Sequence, residues 1–300
     1  METNAIDYSI VVPLFNEEAN IQELYRRLTD TMGGLKKEYE LIFVDDGSGD
    51  KTFEMLKRLH ESDRHVAAFR LSRNFGQHPA AACGLYNARG RAAVTLDGDL
   101  QNLPEDIPKL ISKLEEGYDV VAGYREERDV TLARRIGSRM VNILISRLTG
   151  VKLRDYGCML RAYSRFIVDS LNKCGEHATY ITALTAWVGG RVTEVPIGHS
   201  SRKKGKSKYN FKKLARLYLN ILTGFSDIPL KLVMFAGVVI SLFGTLSMLL
   251  GKCDFSISLV ILACGIQLIA LGAVGAYVSR IYIEVQNRPY YVVKERAVND

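Results

Sequence analysis

Two carboxylates one residue apart close a short apolar run, Val94-Thr95-Leu96-Asp97-Gly98-Asp99-Leu100-Gln101. A buried strand that carries Asp-x-Asp to its carboxyl end suits a divalent cation held against a diphosphate. Mg²⁺ and Mn²⁺ take oxygen ligands and share themselves between one or two carboxylates and substrate phosphates. In open α/β sheets, ligands sit just beyond the carboxyl ends of the strands. Taken alone, the same pair also fits a turn or a helix cap. Its chemistry therefore depends on what the neighbouring strand ends bring.

From Tyr8 to about Gly123 strand and helix signals alternate. Apolar runs at Ser9–Leu14, Leu41–Val44, Val66–Leu71, Ala92–Leu96 and Val120–Ala122 read as strands. A helix is expected from Glu18 to about Met32, stopped by Gly33-Gly34, and another from Lys51. This order predicts an α/β domain with a mostly parallel sheet covered on both faces. The first two strands end in Asn16-Glu17 and Asp45-Asp46-Gly47-Ser48, and the fourth in Asp97-Gly98-Asp99. Polar residues thus gather on one rim, where a ligand belongs.

There is neither a Walker A loop nor G-x-G-x-x-G, so a P-loop NTPase and a dinucleotide-dependent oxidoreductase lack support. The set Pro13-Leu14-Phe15-Asn16-Glu17-Glu18, Asp45-Asp46-Gly47-Ser48 and Asp97-Gly98-Asp99-Leu100-Gln101, in this order, resembles family 2 glycosyltransferases with the GT-A fold. Further segments narrow the resemblance to polyprenyl-phosphate glycosyltransferases. They are Asn74-Phe75-Gly76-Gln77-His78, Asp155-Tyr156-Gly157-Cys158-Met159-Leu160-Arg161-Ala162-Tyr163, and Arg280-Ile281-Tyr282 with Arg288-Pro289. The resemblance runs over nearly the whole chain.

It implies a nucleotide-sugar pocket lined by Pro13, Phe15 and Glu17 and completed by Val44 and Asp46, with Asp46 reading the base or ribose. Asp97, Gly98 and Asp99 would hold the diphosphate and a Mg or Mn ion, the two Asp being the metal ligands, and Gln101 would lie near the sugar or its phosphate. Arg125 would approach the reacting phosphates. Arg202 and Lys208 match a basic pair on a loop that closes over the donor. Asp155 is the family's candidate base, with orientation as its other reading. Arg134, Arg135, Arg139 and Arg161 are available to the acceptor phosphate. Two departures stand out: Gly98 where Ala is more usual, and Phe15 where Tyr is common.

The acceptor is expected to be lipid. No charged residue occurs from Leu232 to Gly251 or from Phe255 to Ser279. Each run exceeds the ~18 apolar residues that mark a spanning helix. We therefore expect a cytoplasmic domain over 1–209, a juxtamembrane amphipathic helix over 210–228, spans at 229–251 and 255–279, and a cytoplasmic tail over 280–300. A further amphipathic helix is expected at about 131–149. Eight Lys or Arg between Arg202 and Arg216, with no acid, place both termini and the catalytic domain on the cytoplasmic side of a bacterial inner membrane. The net charge of +7 is thus assigned to anionic lipid, not to nucleic acid. Five cysteines without C-x-x-C spacing fit a reducing compartment and argue against a zinc site or disulfide framework.

The resemblance then implies inverting transfer of a sugar, UDP-linked in preference to GDP-linked, from its nucleotide to undecaprenyl or related polyprenyl phosphate. The lipid-linked product would serve cell-envelope glycan or lipopolysaccharide modification, and the resemblance also implies a homo-oligomer, with a tetramer as the family's example. The nearest alternative is a GDP-mannose-dependent dolichyl- or polyprenyl-phosphate mannose synthase. A processive polysaccharide synthase is disfavoured because the only tryptophan, Trp187, does not sit in Gln-x-x-Arg-Trp. A non-catalytic membrane scaffold is disfavoured by the intact Asp97, Asp99, Asp155 and Arg202. A lipid flippase would have to work with only two spans.

Overall fold

The computed structural model describes residues 6–125, 153–173, 188–198 and 289–299, with isolated helical positions at 146 and between 260 and 285. The chain divides into two compact units, Met1–Lys208 with Pro289–Asp300, and Tyr209–Arg288. In the first unit strands β1 (Tyr8–Leu14), β2 (Tyr39–Asp45), β3 (Val66–Leu71), β4 (Ala92–Thr95) and β5 (Val120–Arg125) alternate with helices α1 (Ile21–Gly34), α2 (Thr52–Ser62), α3 (Gln77–Tyr86) and α4 (Ile107–Glu115). Strand β6 (Arg161–Ser164), helix α5 (Arg165–Lys173), β7 (Val192–Ile197) and β8 (Val293–Ala297) follow.

These strands form one eight-stranded sheet in the order β7-β5-β6-β4-β1-β2-β3-β8. The pairs β1/β2, β1/β4, β2/β3 and β5/β7 are parallel. Only β6 and β8 run the opposite way. The mostly parallel sheet expected from the sequence is present, and the antiparallel β6 has a consequence for chemistry. Because β6 starts where β4 and β5 end, the segment 153–160 leading into it reaches the same rim as Asp97 and Arg125.

Period-two alternation sorts the side chains onto the two faces. Ile10, Val12 and Leu14 of β1 pack with Leu24 and Leu28 of α1, while Val11 faces the other way, with Ala80 and Cys83 of α3. Both faces of β1 are buried along its whole length, as a central parallel strand requires. Cys83 and Cys158 are buried free thiols.

The strand β8 lies within the stretch expected to be only a tail. Among the described residues no helix is long and apolar enough to cross a membrane. The spans expected at 229–251 and 255–279 fall almost wholly outside the described residues, as do the amphipathic helices expected at 131–149 and 210–228.

Candidate active site

The carboxyl ends of β1, β2 and β4 open onto a cleft of about 350 Å³. One wall comes from the segment after β1, where Pro13, Phe15 and Glu17 line the cavity. This segment is fastened to the turn after β2. The Asn16 N–H donates to Ser48 Oγ at 2.8 Å, the Gly49 N–H to Asn16 Oδ1 at 3.0 Å, and the Glu17 N–H to Thr52 Oγ1 at 3.1 Å. With its backbone so held, Phe15 stays 40% exposed, its ring offered to the cleft.

The floor is Asp97-Gly98-Asp99. Gly98 fills its place for a steric reason: a Cβ there would lie 2.2 Å from Leu14 Cδ2 and 3.4 Å from the Pro13 carbonyl oxygen. The next residue but one, Leu100, is held at a φ of 58°, a conformation a branched side chain rarely adopts. That kink turns the chain back so that Gln101 Nε2 donates to Asp99 Oδ2 at 2.5 Å and the Gln101 N–H to Asp99 Oδ1 at 3.2 Å. Asp97 in turn accepts from Asn102 Nδ2 at 3.1 Å and from Gln77 Nε2. Each carboxylate therefore arrives with its orientation set.

Burial, reinforced by the neighbouring Asp99 charge, pushes the Asp97 carboxyl up to about 7. A cation placed between the two acids would relieve both penalties, so this donor set fits a hard divalent ion. Among the described residues, no group of three or more His, Cys, Asp or Glu side chains encloses a metal by itself. Two carboxylates completed by phosphate oxygens and water are the usual arrangement for Mg²⁺-like ions.

The third wall is the segment after β3, with Asn74, Gly76 and Gln77 on the cavity. The motif Asn74-Phe75-Gly76-Gln77-His78 carries the family resemblance, but the sequence alone assigns it no role. It is fixed by Asp46, whose Oδ1 and Oδ2 accept the Phe75 and Gly76 N–H groups at 2.7 and 2.8 Å. Asp46, expected to read the base or ribose, thus lines the cleft with both carboxylate oxygens already engaged by backbone. Val44, expected to complete the pocket, is fully buried in the core on the α3 face.

Beside the cleft stands an ion pair. Arg125 Nε donates to Asp155 Oδ2 at 2.7 Å, and the Gly157 N–H donates to Asp155 Oδ1 at 3.1 Å. Burial alone would favour a neutral Arg125, but Asp155 and, farther off, Asp97 outweigh it and hold the guanidinium firmly charged. The segment is secured from β7, since Glu194 accepts the Arg154 N–H at 2.8 Å. Arg161, set aside in the sequence for the acceptor phosphate, is 1% exposed. Its guanidinium donates to the carbonyls of Cys158 and Tyr156 at 2.8 and 2.9 Å, which shapes the same segment from below. His78 is pushed down to about 4 by burial and by the Arg161 charge, so it is neutral at physiological pH. Arg134, Arg135, Arg139, Arg202 and Lys208 lie outside the described residues.

The structure thus brings Pro13, Phe15, Glu17, Asp46, Asp97, Gly98 and Asp99 to one cavity, with Gln101 and the Arg125–Asp155 pair adjoining it. Gln77, Asn102 and Glu194 take part without any signal of that role in the sequence. Their roles depend on how α3, the segment after β4 and β7 dock on the rim, which spacing along the chain does not reveal.

This architecture has known counterparts. Glucosyl-3-phosphoglycerate synthase from Mycobacterium tuberculosis, solved with phosphoglyceric acid, superposes with a TM-score of 0.50 at 18% identity, over 75% of this chain and 82% of that one. The same enzyme with Mn²⁺, UDP and phosphoglyceric acid gives a TM-score of 0.50, covering 73% and 76%. These likenesses show the fold. In sequence, the undecaprenyl-phosphate 4-deoxy-4-formamido-L-arabinose transferase of Salmonella choleraesuis (strain SC-B67) is 40% identical over 302 residues, 96% of this chain and 92% of that protein. The protein of that name from Salmonella typhimurium (strain LT2) matches to the same extent, 40% over 302 residues. The Glycosyl transferase family 2 model matches residues 9–171, from β1 through the acidic floor to α5. By that match and by the identity carried along nearly its full length, the chain belongs to glycosyl transferase family 2.

Proposed function

We propose that this chain transfers a sugar from a nucleotide-diphosphate sugar, UDP-linked, to undecaprenyl phosphate or a related polyprenyl phosphate, for modification of a cell-envelope glycan or lipopolysaccharide. The observation that carries the reading is the cleft floored by Asp97 and Asp99 beside the Arg125–Asp155 pair, in a chain 40% identical to undecaprenyl-phosphate sugar transferases. That Phe15 lines the cleft supports its stacking on the nucleoside, and the acidic floor supports a diphosphate site there.

Asp97 and Asp99 would hold a Mg²⁺ or Mn²⁺ ion. Bound there, it would offset negative charge on the departing β-phosphate, an electrostatic effect of the kind that dominates such transfers. A phosphate oxygen of the acceptor forms the new bond to the anomeric carbon. The bond from that carbon to the β-phosphate oxygen breaks, its electron pair leaves with the nucleoside diphosphate, and the configuration inverts. A phosphate monoester has a second pKa of ~6, so the acceptor is mostly dianionic at neutral pH and no proton need be removed. Asp155, paired with Arg125, accordingly orients that guanidinium toward the phosphates instead of serving as base. Arg202 and Lys208 would add charge over the donor.

The acceptor enters from the membrane. The chain leaves the first unit after Lys208 and returns to it at Pro289, where β8 joins the catalytic sheet. Any crossings between these points must be even in number, which supports a hairpin at 229–251 and 255–279 with both termini on the cytoplasmic side. Exposed apolar side chains at helical positions Val260, Leu271, Val274 and Val278 suit contact with lipid or with further copies of the chain in a homo-oligomer such as a tetramer.

The test is incubation of the purified protein with undecaprenyl phosphate, Mn²⁺ or Mg²⁺ and a panel of UDP- and GDP-sugars, followed by mass spectrometry of the lipid. A lipid-monophosphate sugar is expected with a UDP donor. No product from any donor would refute the reading, and full activity of Asp99→Ala would remove the metal assignment.

A further inference from the structure

We propose that Gln77 is a positioning residue of the donor site: it holds Asp97 from the nucleoside side, so that the segment 74–77 couples the two ends of the cleft. The proposal rests on the donor-cleft reading above and adds to it a residue and a direction of influence.

Three observations meet here. Gln77 is the first residue of α3, lines the cleft and donates its side-chain amide to Asp97 Oδ1, while Asn102 Nδ2 donates to Oδ2 at 3.1 Å. An ionised carboxylate has about four lone-pair positions. Two amide donors, one on each oxygen, fix its plane and leave the remaining positions for a cation. Without Gln77 the group is held from one side only and can rotate. Secondly, the segment that presents Gln77 has little freedom, because Asp46 binds the Phe75 and Gly76 N–H groups at 2.7 and 2.8 Å. Thirdly, the β2 turn lies directly on this segment. Gly47 has a φ of +68°, and a Cβ there would sit 2.6 Å from the carbonyl carbon of Arg73. Any larger residue would push the segment away.

A continuous path of hydrogen bonds and backbone therefore runs from the turn after β2, through Asp46 and residues 75–77, to Asp97. Gly76 and Gln77 of this path, with the adjoining Asn74, form one wall of the cleft. A nucleotide seated against that wall steadies Gln77, and Gln77 steadies the acid that meets the cation. Nucleotide and cation should then tighten one another's binding, and by linkage the effect is reciprocal.

The experiment measures Mn²⁺ affinity of the full chain in detergent from loss of the free-ion EPR signal, with and without saturating UDP, and with GDP in a parallel series. In the wild type, nucleotide is expected to tighten Mn²⁺ binding. Gln77→Ala should weaken Mn²⁺ binding about tenfold, as loss of a hydrogen bond to a metal ligand commonly does, and should shrink the nucleotide effect. Gln77→Asn, one methylene too short to reach, should behave like Gln77→Ala. Asp46→Asn keeps the size but loses one acceptor; it should weaken Mn²⁺ binding when Gln77 is present and add nothing in Gln77→Ala. Gln77 sits exposed at a helix start, so the metal-free melting temperature should not move. Unchanged Mn²⁺ affinity in Gln77→Ala, or additive effects of the two substitutions, overturns the proposal while the donor reading stands. If the wild type binds neither nucleotide nor Mn²⁺, the donor reading falls and takes this proposal with it.

Discussion

Arg125 and Asp155 meet at 2.7 Å across the gap between the end of β5 and the segment before β6, with Asp155 buried and its second oxygen held by the Gly157 N–H. Two residues 30 apart in sequence are joined because the antiparallel β6 brings its own entry to the rim where β5 ends. The pairing makes an orienting role for Asp155 testable against a base role. Asp155→Asn keeps the shape but leaves Arg125 uncompensated. Removing one partner of a buried pair typically costs about 3–5 kcal/mol of stability, because the remaining charge is left uncompensated. We expect kcat to drop ~100-fold or more while the shape of its pH profile is retained. Loss of the acidic limb of that profile in the variant would instead identify Asp155 as the base.

The acidic floor predicts how cation binding responds to pH. Asp97 is raised from the ordinary carboxyl range to about 7 by burial and by Asp99, so a proton competes with the cation below that pH. Mn²⁺ affinity in the absence of nucleotide should climb as pH rises toward 7 and level off above it. Stability of the metal-free protein should move the other way. A carboxyl whose folded pKa lies above its unfolded value binds more protons when folded, so it penalises the fold as pH rises from the unfolded value through about 7. The metal-free melting temperature should therefore fall between pH 5 and 8, conditions chosen to bracket this titration. Asp97→Asn should flatten that slope, and added Mn²⁺ should reverse it. Calorimetric scans with and without chelator measure both.

Gly98 and Leu14 predict a compensating pair. Adding a Cβ at 98 sets it 2.2 Å from a Leu14 methyl, and a methyl at the end of a side chain can yield. Gly98→Ala should thus cost about 1–3 kcal/mol of stability, the usual range for overpacking. It should also weaken nucleotide binding, because the acids on either side of residue 98 move with it. Leu14→Val vacates the terminal methyl position, and in that background Gly98→Ala should cost less. A double-mutant cycle read by thermal unfolding and by UDP titration gives the coupling.

What the sequence discloses and what it hides divide along physical lines. Strands β1 to β5 are legible because they are apolar runs bounded by turn residues and buried by helices on both faces. Pro13, Phe15, Glu17, Asp97 and Asp99 follow from them, since they immediately succeed or end those runs. Strand β6 is four residues long and opens on Arg161, whose burial is made possible by two carbonyls that no pattern announces. Strand β7 carries Glu194 and Pro196, and Pro is admissible there because β7 is an edge of the sheet. Strand β8, Val293-Lys294-Glu295-Arg296-Ala297, is mostly exposed, with Ala297 alone packing against the core, and lacks the apolar alternation that marks a strand; its pairing with β3 sets it in the sheet. Val44 is less legible, because alternation along β2 turns its side chain into the core on the α3 face, where it is fully buried.

The edge strand β8 leads to the last prediction, which concerns a charge beneath the donor site. Asp45 is fully buried at the end of β2, with one oxygen accepting the Ser48 N–H at 3.0 Å. Its other oxygen has Arg70 Nε at 3.4 Å, and among the described residues no closer hydrogen-bond donor. Arg70 also donates to the Ser48 carbonyl at 3.2 Å, stacks over Phe53 at 5.4 Å, and reaches Glu295 of β8 at 3.2 Å. One guanidinium thereby ties the turn that shapes the cleft to the C-terminal strand. Burial raises the Asp45 carboxyl, while the Ser48 hydrogen bonds and the Arg70 charge pull it back. Arg70→Leu removes that charge, and Asp45, still hydrogen-bonded to Ser48, must either stay ionised without a compensating cation or take up a proton. The substitution should cost about 3–5 kcal/mol at pH 8. The loss should shrink as pH falls and Asp45 is protonated in the fold, so wild type and variant converge toward pH 5. Glu295→Ala removes only a partly exposed partner and should cost less than ~1 kcal/mol. A Glu295→Ala penalty equal to that of Arg70→Leu, measured by denaturant unfolding at both pH values, would show that β8 rather than Asp45 is what Arg70 serves.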